Sequence, residues 1–178
     1  MQRKKILLTA SAIALGSAAY LILKKNQRKS EFTVVTPFDI NRYLGRWYEI
    51  ARLDFHWEKD LIKTTAHYSL NKDGSVKVVN QGWNVKKEEW QVSEGKAKVI
   101  KKNTGALKVS FWGPFYDEYN VAEITNDYKY ALVFGKNNDY MWILSREKTI
   151  PEAVKNLFLL KAESFGYNTT NLVWPENE

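Results

Sequence analysis

The sequence predicts an all-β protein, an eight-stranded antiparallel up-and-down β-barrel with one α-helix packed outside it near the C-terminus. Three observations carry this expectation. From residue 45 onward, runs rich in Val, Ile, Tyr, Trp and Phe recur at hairpin spacing, a rhythm of sandwiches and barrels rather than of βαβ units. Several runs alternate apolar and polar residues, as strands with one dry face do. A single late stretch switches to helical spacing. Eight strands joined in sequence can close on themselves, which removes both sheet edges.

Strands are expected at 45–54, 62–70, 75–84, 88–100, 106–112, 118–125, 128–135 and 140–146. Turn chemistry separates many of them: "NKDG" at 71–74, "NTG" at 103–105, "GP" at 113–114 and "KNND" at 136–139. Within 106–112, Leu107, Val109 and Phe111 share one face against Lys108 and Ser110 on the other. Val76 and Val78 likewise oppose Lys77. The last strand sets Tyr140, Trp142, Leu144 and Arg146 on one face. An arginine among such neighbours must sit at an end or over an aromatic ring, because an unpaired buried charge is costly.

The helix is expected within "TIPEAVKNLFLLKAESFGYN". Thr149 and Glu152 have capping-box spacing, Pro151 falls in the first turn and Gly166 marks the C-terminal cap. Ile150, Val154, Leu157, Phe158 and Phe165 form its apolar stripe. "TTNLVW" after it can add a short strand.

Residues 1–30 form a separate hydrophobic anchor or signal segment, and 31–178 form the barrel domain. Ile6 to Leu23 is an 18-residue run without charge, close to the roughly 20 needed to span hydrocarbon. Ser17-Ala18-Ala19 offers a small-residue cleavage site, but the apolar run continues past it, which favours an uncleaved membrane anchor over a signal peptide. Basic residues flank both ends, so the charge bias does not fix orientation. The formal net charge of +7 resides entirely in residues 1–30, whose seven basic side chains have no acidic partner. The remainder is balanced, and nucleic acid is therefore not an expected partner. There is no cysteine and hence no disulfide.

Three ordered motifs in this chain resemble the signatures of the lipocalin family. Gly45 and Trp47 open the first strand; "TNDYKYALV" at 125–133, with Asp127 and Tyr128, resembles the second signature; "WILSR", ending in Arg146, resembles the third. "FDINRYLGRWYEIAR", "SEGKAKV" and "LKVSFWGPF" are similar to bacterial and apolipoprotein-D-like lipocalins. The resemblance runs from about Pro37 to Trp174. It implies that Trp47 plugs the closed end, that Gly45 permits a tight turn beneath it, and that Arg146 stacks on the indole. It also implies a bacterial envelope location. Many bacterial relatives are anchored through an N-terminal cysteine, which this chain lacks, so Ile6–Leu23 would supply the anchor.

Strand parity and this resemblance together nominate an inward set: Tyr68, Val76, Val78, Asn80, Val109, Phe111, Tyr140, Trp142 and Leu144. An apolar wall with a few polar tips suits an amphiphile, so the expected partner is a fatty acid or lysophospholipid. Phe55, Trp57, Phe115 and Tyr116 are expected around the open mouth, where they admit lipid, touch a bilayer or meet a second copy in a homodimer. Catalysis finds little support. His67 lies opposite Ala66 and Tyr68, facing solvent. His56, Asp54, Glu58 and Asp60 read as a polar rim loop. The adjacent acids at 88–89 and 117–118 point to opposite faces or lie in loops. No metal or cofactor motif occurs. Two competing readings are a lipocalin-fold enzyme acting on a lipophilic substrate and an interaction module whose barrel is filled by its own aromatics.

Overall fold

The structure, a computed structural model, describes residues 32–55 and 58–177. Two expectations, the anchor at 6–23 and the rim positions of His56 and Trp57, fall outside these residues. The described chain begins with an extended stretch and a single helical turn, α1 (Ile40–Tyr43). Eight strands follow: β1 (Gly45–Leu53), β2 (Leu61–Leu70), β3 (Val76–Asn84), β4 (Glu89–Val99), β5 (Ala106–Trp112), β6 (Phe115–Ile124), β7 (Tyr130–Phe134) and β8 (Met141–Ser145). Each pairs antiparallel with the next. β1 pairs with both β2 and β8, which closes the barrel.

Strand edges depart from expectation where turns compete. Tyr128 adopts φ +59 in the β6–β7 turn and lies outside β7. Tyr140 and Arg146 flank β8 instead of belonging to it. β6 starts earlier than predicted, at Phe115, because the 113–114 turn is tight.

Helix α2 (Glu152–Ser164) lies outside the barrel, followed by a 3₁₀ turn (Thr169–Asn171) and β9 (Leu172–Val173), which pairs with β1. The predicted capping box does not form. Pro151 occupies the N-cap without a side-chain cap bond, and the Thr149 carbonyl instead accepts from the Ser145 hydroxyl. Gly166 does terminate the helix, at φ +80, a conformation that costs glycine least. Phe158 and Ala162 are the buried residues of α2. Leu157, expected in the stripe, is exposed, as is Leu160. Both fall on the helix face away from the barrel.

Two apolar clusters result. One lies between α2 and the outer faces of the strands, with Ile50, Ala51, Leu132, Phe134, Ile143 and Phe158 among its members. The other fills the lower interior around Trp47 and includes Tyr43, Val76, Ala97, Leu107 and Val133. β7 and the core of β8 are buried on both faces because they separate these clusters.

An irregularity in β1 decides which of its side chains reach the interior. Glu49 pairs with Leu144 but Ala51 pairs with Ile143, a β-bulge at Ile50. The bulge resets the alternation, so Glu49 and Arg52 turn inward while Ile50, Ala51 and Leu53 pack toward α2.

Candidate functional site: the barrel cavity

The closed end is built first. Trp47 has no solvent exposure, and its indole N–H donates to the Tyr43 carbonyl at 2.8 Å. The Arg146 guanidinium carbon lies 3.8 Å from the indole centroid. Its N–H groups donate to the carbonyls of Arg42, Tyr43, Leu44 and Arg46 at 2.7 to 3.1 Å. Gly45, at φ +94, makes the chain reversal that aims those carbonyls at one cation. Asp127 and Tyr128 organise the neighbouring turn. The Asp127 carboxylate accepts from the Thr125 hydroxyl and the Lys129 N–H. The Tyr128 hydroxyl accepts from the Asp39 N–H, and its ring lies under Arg42.

Above this plug the barrel encloses a cavity of ≈ 760 Å³. Tyr68, Val78, Asn80, Val109, Phe111, Tyr140, Trp142 and Leu144 all stand on its wall. Val76 lies in the packed cluster and does not reach the cavity. Tyr68, Tyr119 and Tyr43 form a chain of hydroxyls, at 2.9 Å between the first two and 2.6 Å between the last two. Burial pushes all three phenols up, Tyr68 to about 12, so each remains neutral. On the side nearer the mouth, Phe55 meets Tyr140 and Trp142 edge-on, with centroids 5.4 and 5.7 Å apart.

The site also contains residues that sequence reasoning missed. Glu58, read as part of a rim loop, turns into the barrel and accepts from the Trp142 indole N–H at 3.0 Å. Burial raises its carboxyl to about 8, and the nearby Glu49 charge adds to the rise. Glu49 is itself raised by burial, although Arg52 opposes the shift. The Arg52 side chain is 1% exposed and reaches Glu49 Oε1 at 2.6 Å. It donates as well to the Glu58 and Leu61 carbonyls. Glu49 shares the parity of Gly45 and Trp47, a signal that was available. Arg52 does not, because the bulge lies between them.

Two further assignments are corrected. Ser110, placed outside with Lys108, is buried at the cavity wall because the β5–β6 register shifts between Val109 and Trp112. Asp117 stands at the mouth, bound to Lys136, whereas Glu118, opposite Lys108 in register, accepts from the Asn120 side chain on the other face of β6, as alternation separates them. Phe55 and Phe115 reach the mouth as expected. Tyr116 instead lies outside, beneath Lys98 and Lys108. His67 is exposed.

A barrel plugged by a Trp–Arg pair at one end, with a cavity at the other, matches the resemblance in the motifs. The family profile described as a lipocalin-like domain covers residues 38–177. The chain belongs to the lipocalin family. It is 46% identical over 165 residues to the Outer membrane lipoprotein Blc of Citrobacter freundii, spanning 91% of this chain and 93% of that one. The Blc protein of Vibrio cholerae is 41% identical over 146 residues, 81% of this chain and 85% of its own. The crystal structure of the cockroach allergen Per a 4 shares the lipocalin fold, with a TM-score of 0.64 at 19% identity, covering 81% of this chain and 91% of that one.

Proposed function

We propose that this lipocalin is a membrane-associated protein of the bacterial cell envelope that binds one single-chain lipid, a fatty acid or lysophospholipid, without altering it. Its role would be lipid storage, transport or membrane maintenance. The observation that carries the reading is the cavity itself. Its volume of ≈ 760 Å³ falls within the roughly 300–1,000 Å³ of small-molecule sites, and its wall joins apolar side chains such as Val78, Val109, Phe111 and Leu144 to a few hydroxyls and carboxyls. A mixed wall of that kind accommodates an amphiphile. The relatives named outer membrane lipoproteins support the envelope address. Ile6–Leu23 is proposed as the tether, which raises the concentration of barrel beside its lipid source.

Displacement of a fluorescent fatty acid tests this reading. Oleoyl lysophospholipid is expected to compete at micromolar concentration, and Trp142→Ala to weaken uptake about tenfold or more while melting as a folded protein. No uptake of probe by the wild-type barrel would overturn it. A catalytic reading draws on one feature, the raised Glu58 carboxyl in a cavity. Conversion of a lipid during incubation would favour it; recovery of the lipid unchanged would not.

A further inference from the structure

The β1–β2, β3–β4, β5–β6 and β7–β8 turns lie at the end away from Trp47, because β1 starts at the plug and each strand runs against the last. That end carries apolar surface that the fold leaves bare. Trp90 is 50% exposed, Val92 60%, Trp112 77% and Phe115 79%, although all four border the cavity. Among the described residues, four Trp and Phe side chains are exposed; Trp90, Trp112 and Phe115 are three of them, and Trp174 is the other. Trp112 and Phe115 pair across the Gly113–Pro114 turn, at the tip of the β5–β6 hairpin. Exposed aromatics gathered at one end in this way mark a contact surface.

The path of the chain points to what that surface meets. Phe32, the first described residue, packs edge-on against Phe134 and Phe165, at centroid distances of 5.1 and 6.2 Å. Asn138 of the β7–β8 turn donates to the Phe165 carbonyl. From there the chain runs toward the closed end. The Val35 N–H donates to the Val121 carbonyl, and the Phe38 N–H donates to the Asn103 carbonyl in the β4–β5 turn. Whatever precedes Phe32 therefore joins the barrel on its mouth side. Only eight residues, 24–31, separate Phe32 from the proposed tether at Ile6–Leu23, a reach of about 30 Å at most. Four of these eight are basic and one is acidic, which suits an anionic lipid surface and opposes a second copy of the same segment.

We propose that the barrel docks mouth-first on an anionic phospholipid bilayer, with Trp112 and Phe115 seated at the boundary between headgroups and acyl chains. This goes beyond the proposed function and rests on its tether. Tryptophan favours that boundary, where its ring is dry and its N–H is wet. Lipid then passes between bilayer and cavity without crossing bulk water.

The chain has no cysteine, so one introduced thiol labels one place. Full-length Trp112→Cys and Lys102→Cys, the second an exposed position at the closed end, each carry an environment-sensitive fluorophore. Both are reconstituted with vesicles of phosphatidylethanolamine and phosphatidylglycerol that contain spin-labelled lipid as quencher. The label at 112 is expected to be quenched about twofold or more, as at a depth of roughly 5–10 Å, and the label at 102 to stay unquenched. Equal quenching at both positions, or none at 112 in protein that floats with the vesicles, would overturn mouth-first docking and leave the tether intact. A label at 112 shielded just as well without vesicles would give the surface to a second copy and overturn the bilayer. Protein that does not float would overturn tether and docking together, while displacement of the fluorescent fatty acid still tests lipid binding on its own.

Discussion

Arg146 shows how one side chain can hold an end of a barrel. It supplies donors to five carbonyls, that of Tyr128 included, and covers the face of Trp47. Removing it leaves those carbonyls without that cation, and Arg146→Ala is expected to cost about 2–4 kcal/mol in denaturant unfolding. Trp47→Ala is expected to cost about 3–5 kcal/mol by leaving a cavity. A Trp47→Ala variant with a wild-type melting curve would rule out the plug. Glu58 makes a prediction of a different kind. Its carboxyl rises from 4.5 to about 8 on folding, so between those values the native state holds more protons than the unfolded chain. Stability from this group therefore falls as pH rises through that window and levels off above it. Glu58→Gln removes the slope. Its melting temperature, measured against wild type, is expected to rise between pH 5 and pH 8.5; parallel curves would contradict the raised carboxyl.

Elements were legible where one periodicity acts alone and less so where two compete. Most strands and the helix follow from apolar alternation and spacing because each buries one dry face, whereas β7 and the core of β8, buried on both faces, follow from short apolar runs between turns. The misreadings cluster at irregularities. The bulge at Ile50 turns Arg52 inward, and the register shift after Val109 brings Ser110 to the cavity; neither leaves a mark in a pattern read two residues at a time. Glu58 was hidden differently, since nothing in a charged loop announces that it folds into a barrel. Of the five apolar positions expected in the stripe along α2 and its ends, Ile150, Val154, Phe158 and Phe165 pack against the barrel and Leu157 does not. Phe158→Ala is therefore expected to cost about 3–5 kcal/mol and Leu157→Glu to stay within about 0.5 kcal/mol. Thermal unfolding of the two variants distinguishes the buried face from the exposed one, and equal losses would place the helix wrongly.

At the scale of the molecule, the barrel keeps its two apolar clusters on opposite sides of the β7–β8 wall, so the cavity remains open without leaving the protein coreless. The Trp47 plug and the α2 packing bear the stability, and the upper interior is left for binding. That division explains why polar and ionisable residues collect there: Glu49, Arg52, Glu58, Asn80 and Ser110 occupy space that a filled barrel would give to aliphatic side chains. Lipid binding is tested most directly by native mass spectrometry with lipid extraction on full-length protein taken gently from membranes. The expected result is one intact single-chain lipid per barrel, released unmodified. An empty barrel that also ignores added lysophospholipid and fatty acid would contradict lipid binding and make the cavity aromatics core.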